Sequence, residues 1–224
     1  MINHVTLTGR LSCEPEAFAT KSGQAIARFK IECVGSDKDI PVSLYGDDAD
    51  LLLAAEVGDN IGVEGRIKVT YNDVKDTYFT EVTARRGGTY SGEIIFPINY
   101  VCLVGRVYDI QDEKEEDGEI YATFTTICER EFRNHKGERE SDEIPVAAGG
   151  HDANFILSHV RDGNELGIQG RLSVIYDDVH GIYFTEVVAH KTTLLDRKTV
   201  TVPDKTIGVV THDCANVRHN FQNY

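Results

Sequence analysis

The sequence predicts an all-β chain built as two small barrels in tandem. Three observations point there. The second half repeats the first, apolar residues recur at the strand period of two, and each copy breaks that period once for a single short helix. The repeat is read from paired segments. Asn3-His4-Val5-Thr6-Leu7-Thr8-Gly9-Arg10-Leu11 is matched by Asn99-Tyr100-Val101-Cys102-Leu103-Val104-Gly105-Arg106-Val107. Gly62-Val63-Glu64-Gly65-Arg66 is matched by Gly167-Ile168-Gln169-Gly170-Arg171, and Tyr78-Phe79-Thr80-Glu81-Val82 by Tyr183-Phe184-Thr185-Glu186-Val187. A duplicated unit presents one surface twice, which suits a long repetitive ligand better than a single pocket.

In the first copy, Val5, Leu7, Gly9 and Leu11 alternate with Thr6, Thr8 and Arg10 as a first strand. After the turn signal Lys21-Ser22-Gly23, Ala27, Phe29, Ile31 and Cys33 share one face and Arg28, Lys30 and Glu32 the other. Ile40 to Tyr45 reads as a third strand. Gly46-Asp47-Asp48 then supplies a helix N-cap ahead of the apolar cluster Ala49 to Val57. Gly58-Asp59-Asn60 turns the chain into a strand from Ile61 to about Tyr71, and Asn72-Asp73 into a closing strand from Thr77 to Ala84. The second copy runs the same way over 99–108, 119–131, 142–148, a helix near 152–160, 165–176 and 182–190. Three strands, one helix and two strands is the order of a five-stranded OB-fold barrel, whose helix plugs the barrel between strands three and four. The expected division is a first OB domain at 1–86, a Gly-rich linker at 87–96, a second OB domain at 97–192 and a C-terminal extension at 193–224. The register between copies lengthens once, by about nine residues between strands two and three of the second copy, in Arg130 to Glu143. Insertions at hairpin tips cost little and often carry binding function.

Each unit of about 90 to 100 residues is long enough to bury a core of its own. No apolar run approaches the roughly 18 residues that span a bilayer, and no charged-then-apolar leader follows Met1, so a cytoplasmic location is expected. The five cysteines include no close CxxC pair, which argues against a disulfide framework or zinc knuckle. Cys33 and Cys128 fall at equivalent places inside apolar alternation and read as small core residues. The net charge of −14 opposes nucleic-acid binding at long range. Residues 1–95 carry ten basic and fifteen acidic groups, and residues 96–191 nine and nineteen. A local groove can still be basic.

The opening Met1-Ile2-Asn3-His4-Val5-Thr6-Leu7-Thr8-Gly9-Arg10-Leu11 resembles the N-terminal signature of the bacterial single-stranded DNA-binding proteins. Ile61-Gly62-Val63-Glu64-Gly65-Arg66-Ile67 resembles that family's fourth strand, and Thr80-Glu81-Val82 its fifth. The resemblance covers both copies. It implies largely sequence-independent binding and protection of single-stranded DNA in replication, recombination or repair, in a bacterial or phage-infected cell. Members act with four OB domains, so two per chain implies a homodimer, and replication or repair proteins become possible partners. Three features depart from the pattern: there is no tryptophan, the C-terminus is not acidic, and the surface is. They keep open a second reading, an OB scaffold acting through protein contacts, as in primosome-associated relatives.

Binding single strands without sequence preference needs cations for phosphates and aromatic faces for bases. Tyr71 and Tyr176, equivalent residues at the outer end of the fourth strand, are the first stacking candidates, followed by Tyr45 and by Phe132 in the long hairpin. A rim tyrosine can equally just pack there. Phosphate candidates are Arg28, Lys30, Arg66 and Lys68 in the first copy, and Arg133, Lys136 and Arg171 in the second. Arg10, Arg106, Arg130 and Arg139 are further cations. The counterparts of Arg28 and Lys30 are Thr123 and Thr125, so the first domain has the more basic strand-two face. The cations of hairpin 129–143 are interleaved with carboxylates, which also fits a solvated hairpin with internal ion pairs. No P-loop, nucleophile elbow or dinucleotide fingerprint appears, and no enzyme, cofactor or metal is expected. His212-Asp213-Cys214 with His219 lacks a second ligand cluster, and Asp112 to Asp117 reads as a solvated acidic loop without EF-hand spacing.

Overall fold

The computed structural model describes residues 1–72, 77–92, 97–114, 119–133, 136–177 and 182–195. The first repeat forms β1 (Ile2–Leu11), β2 (Glu16–Ala19), β3 (Ala25–Cys33), β4 (Ile40–Tyr45), α1 (Asp47–Leu52), β5 (Asn60–Asn72) and β6 (Thr77–Thr89). The second forms β7 (Asn99–Lys114), β8 (Ile120–Arg133), β9 (Arg139–Gly149), α2 (Gly150–His159), β10 (Glu165–Asp177) and β11 (Ile182–Leu194).

Each repeat closes on itself. β1 pairs antiparallel with both β3 and β5, β3 with β4, and β5 with β6, while β4 lies parallel to β6. The second barrel repeats the scheme through β7, β8, β9, β11 and β10. Two OB-fold barrels are therefore present, as the element order predicts. Closure brings backbones very near one another at the Gly-Arg motifs. A Cβ on Gly9 would sit 2.1 Å from the Glu32 carbonyl oxygen, and one on Gly105 2.5 Å from that of Ile127. Only glycine fits there, which is why the motif recurs. The alternating side chains Leu7, Ile31, Ile40, Leu44 and Ile67 fill the first barrel with Leu52 of α1 as its plug; Leu103, Ile144, Leu166 and Ile156 of α2 do so in the second. Full burial of each such side chain is worth about 1.5–3 kcal/mol.

Three local expectations are corrected. The first helix ends at Leu52 rather than Val57, and its N-cap is Gly46 at φ 90° with no side-chain cap. Asp48 is occupied elsewhere: its carboxylate accepts the Gly87 N–H at 3.0 Å, tying α1 to β6. Asp152 does the same in the second barrel, accepting the Thr192 N–H at 2.8 Å and its hydroxyl at 2.6 Å. The four-residue edge strand β2, on the outside of β3, has no signal in the alternation. The closing strand continues beyond Ala84, through Gly87 and Gly88, to Thr89. Beyond Leu195 the expected C-terminal extension lies outside the described residues.

Sequence periodicity is silent on how the barrels join. β1 pairs antiparallel with β7, from Ile2 opposite Val104 to Leu7 opposite Asn99, so β11-β10-β7-β1-β5-β6 run as six consecutively paired strands through both barrels, within one eleven-stranded sheet. Cys33 and Cys128 sit at equivalent places along this seam. Cys33 donates to the carbonyls of Thr8 and Ile98 at 3.4 Å, and Cys128 to those of Ile2 at 3.5 Å and Val104 at 3.8 Å. Burial pushes these thiols up to about 11 and about 12, so neither is a ready thiolate. Asn3 and Asn99 are likewise paired, each bonding a β5 or β10 peptide (Ile67 or Leu172) through both ends of its amide. Among the described residues no helix is long and apolar enough to cross a membrane.

Candidate nucleic-acid interface

The alternation in β3 sends Phe29 and Ile31 into the core and Arg28 and Lys30 to solvent. Arg28 lies over the ring of Phe18 on β2, 4.6 Å from its centroid, which holds an exposed cation in a fixed place. Beside it, at the end of β4, Tyr45 is half-buried. Burial and the Glu81 carboxylate push its phenol up, against the opposing pull of Arg28 and Arg66. Glu81 itself is buried, accepting the Ser43 hydroxyl at 2.6 Å with Lys68 Nζ at 3.8 Å. Lys68 therefore has a carboxylate neighbour, whereas Arg28 and Lys30 have open positive charge. The matching face of the second barrel carries Thr123 and Thr125.

Between the barrels this face runs into a cleft of about 500 Å³. Lys30, Pro41, Tyr78 and Phe79 form one wall, and Thr125, Pro145, Tyr183 and Phe184 form the other, nearly position for position. Asp37, Asp39 and Glu143 also border it, so the cleft is aromatic in its walls and mixed in its charge. Phe79 is 50% exposed and Phe184 38%. Tyr71 and Tyr176 stand at the outer ends of β5 and β10, about half exposed, each tilted against the neighbouring tyrosine of its hairpin at 5.2 Å and 5.0 Å between centroids. The candidate tyrosines therefore belong to a larger aromatic set. Tyr78, Phe79, Tyr183 and Phe184 line the cleft without having been singled out from the sequence, although their recurrence in both copies was the available signal.

The remaining candidates are placed differently. Arg66 reaches across the seam: its Nη1 donates to Asp142 of β9 at 2.6 Å. The same carboxylate accepts Arg130 Nη2 at 2.6 Å, Arg130 Nε at 3.0 Å and the Val69 N–H at 3.2 Å. Arg171, the counterpart of Arg66, meets no carboxylate among the described residues. Its side chain lies against Gly35, and its Nη1 is buried without a hydrogen-bond partner in the structure. In the hairpin, Arg130 also pairs with Glu140, Arg139 pairs with Glu129 at 3.2 Å, and Arg133 donates to the Gly137 carbonyl at 2.6 Å. Lys136 is exposed in the hairpin turn and Phe132 is exposed beside it. Arg10 and Arg106 are exposed on β1 and β7. Among the described residues no three His, Cys, Asp or Glu side chains are gathered to hold a metal. The His212, Asp213, Cys214 and His219 cluster lies outside them.

The profile of the single-strand binding protein family matches residues 2–88 and 98–195. The chain belongs to that family. Family relatives align over about one repeat. The single-stranded DNA-binding protein 1 of Clostridium acetobutylicum is 36% identical over 106 residues, 45% of this chain and 96% of its own length. That of Streptococcus mutans is 35% identical over 105 residues, again 45% of this chain and 64% of its own. In fold, the chain is similar to the wild-type single-stranded DNA binding protein from Thermus aquaticus, with a TM-score of 0.70 at 22% identity over 90% of this chain and 96% of that one. A deletion mutant of the Thermus protein gives 0.71 at 21%, over 91% and 98%. These matches span both repeats, so the two-barrel fold is shared with the Thermus protein.

Proposed function

We propose that this member of the single-strand binding protein family binds single-stranded DNA without chemistry and largely without sequence preference, in replication, recombination or repair. The strand runs along the Arg28 and Lys30 face of the first barrel and through the aromatic cleft onto the second. One observation carries this reading: exposed cations and duplicated exposed rings adjoin on a single surface. That juxtaposition is what phosphates and unstacked bases require. The scaffold alternative rests on the missing tryptophan, the non-acidic C-terminus and the acidic surface; net charge governs long-range steering, and Arg28 and Lys30 are still exposed on this face.

The test is a titration of labelled oligo-dT over a range of salt. Each phosphate neutralised contributes a slope of about −0.7 in log K against log salt for single strands. Replacing both Arg28 and Lys30 with alanine should therefore make the slope shallower by about 1.4. An unchanged slope takes both residues out of the phosphate track. No binding by the wild-type protein even at low salt sinks the function.

Four OB barrels are completed by a second copy meeting the outer face of the six consecutively paired strands. There Ile2 opposes Val104, His4 opposes Cys102 and Thr6 opposes Tyr100, all pointing away from the barrel cores. This flat, partly apolar centre suits an isologous twofold contact. Light scattering should give twice the chain mass, and Tyr100→Glu should halve it. A wild-type monomer at micromolar concentration removes the dimer.

A further inference from the structure

The centre of the β1–β7 seam is a point of near-symmetry. Val5 stands opposite Val101, its own counterpart in the repeat, so the axis relating the two barrels passes between them. Both valines are buried, which turns their chain neighbours outward. Four side chains therefore surround the axis on the outer face, His4 opposite Cys102 and Thr6 opposite Tyr100. Directly opposed residues hold their Cβ atoms about 5 Å apart, so His4 and Cys102 leave the sheet as a pair.

Both members of the pair are oriented by neighbours. His4 Nε2 lies 3.1 Å from the Thr6 hydroxyl and 3.9 Å from Glu64 Oε1 of β5, which leaves Nδ1 as the nitrogen that can ligate. A carboxylate on the far nitrogen is the arrangement that fixes metal-bound imidazoles. Cys102 shares a hydrogen bond with Tyr100, whose phenol is pushed up by burial and by this sulfur. Unlike Cys33 and Cys128, Cys102 is only half-buried and packs in neither core.

One chain brings two ligands to this point, and a closed structural zinc site needs four. A second copy supplies the others. Two in-plane directions are open to the twofold axis of the dimer. The direction along the strands seats Ile2 on Val104 and Tyr100 on Thr6, whereas the direction across them seats Ile2 on Thr8. With the axis along the strands, each copy's His4 lies over the other copy's Cys102. Stacked sheets lie about 10 Å apart, so an ion midway is about 5 Å from either backbone, within reach of both side chains. We propose that His4 and Cys102 of two copies together bind one zinc ion at the centre of the dimer contact. Thiolate and imidazole ligands select zinc over harder cations. The site rests on the twofold contact proposed above and adds a ligand to it.

The metal-free full-length protein is titrated with cobalt(II), which reports zinc sites by its absorption. The expected result is thiolate charge-transfer and tetrahedral d–d bands that saturate at one cobalt for every two chains and disappear when zinc is added. Cys102→Ser should abolish the charge-transfer band. Glu64→Gln should weaken cobalt binding about tenfold, and His4→Gln by more. Cys214→Ser, in the tail that holds the other histidine and cysteine cluster, should leave the bands unchanged. Light scattering reads the dimer separately. Zinc at about ten times its dissociation constant should lower the concentration at which wild-type dimers come apart about tenfold, and leave that of Cys102→Ser unmoved. A dimer without thiolate absorption, or with absorption that survives Cys102→Ser or saturates at one cobalt per chain, overturns the metal site and leaves the dimer standing. A monomer with and without zinc overturns both.

Discussion

Asp142→Ala should lower stability by about 3 kcal/mol, the low end of the cost of breaking a buried ion pair. Asp142 is 1% exposed and accepts from two guanidinium groups and one peptide N–H. Removing it strands Arg130, whose side chain is largely buried and whose pKa is raised chiefly by its hydrogen bond to this carboxylate. Arg66, about a third exposed, can turn to water, which keeps the cost from rising further. The urea midpoint of the variant measures the effect. A loss below about 1 kcal/mol would mean that the cluster is no stronger than a surface pair. Asp142 joins β9 of one barrel to β5 of the other, so the loss should appear first as looser packing between barrels with each barrel still closed. Hydrogen exchange at the β1–β7 seam reads that directly.

The second large effect concerns binding. Replacing Phe79 and Phe184 together with alanine should weaken oligo-dT binding by about 2 kcal/mol or more, roughly 30-fold, taking about 1–3 kcal/mol for each base that loses its ring. Both rings are well exposed on opposite walls of the cleft, so truncation removes little core packing. An unchanged circular dichroism spectrum and melting temperature would separate lost contact from lost fold. Affinity equal to wild type in a folded variant would show that the strand does not enter the cleft.

How far these sites are legible in the sequence depends on how far apart their parts lie along the chain. Arg28 and Lys30 are readable because the face of a strand residue follows from its immediate neighbours, and Phe29 and Ile31 announce the buried side. Tyr71 and Tyr176 are readable because they recur. Tyr78 and Phe79 recur as well, yet alternation alone cannot make them cleft walls. The cleft exists only once the second barrel stands opposite. The N-cap falls at Gly46, inside the expected Gly46-Asp47-Asp48, but without a side-chain cap: the Asp48 carboxylate goes to the Gly87 peptide of β6, a partner that appears only after the barrel closes.

Local periodicity and duplication by themselves determined that the chain is two five-stranded barrels with a short helix in each, and which strand faces are wet. Tertiary structure alone decided the rest: the β1–β7 seam, the shared cleft, and the diversion of Arg66 to a carboxylate 76 residues away while its counterpart Arg171 stays against Gly35. The physical reason is that strand pattern is written in neighbouring residues. A contact between barrels depends on how two closed surfaces meet, and two copies of one motif acquire different partners once a nine-residue insertion makes those surfaces unequal.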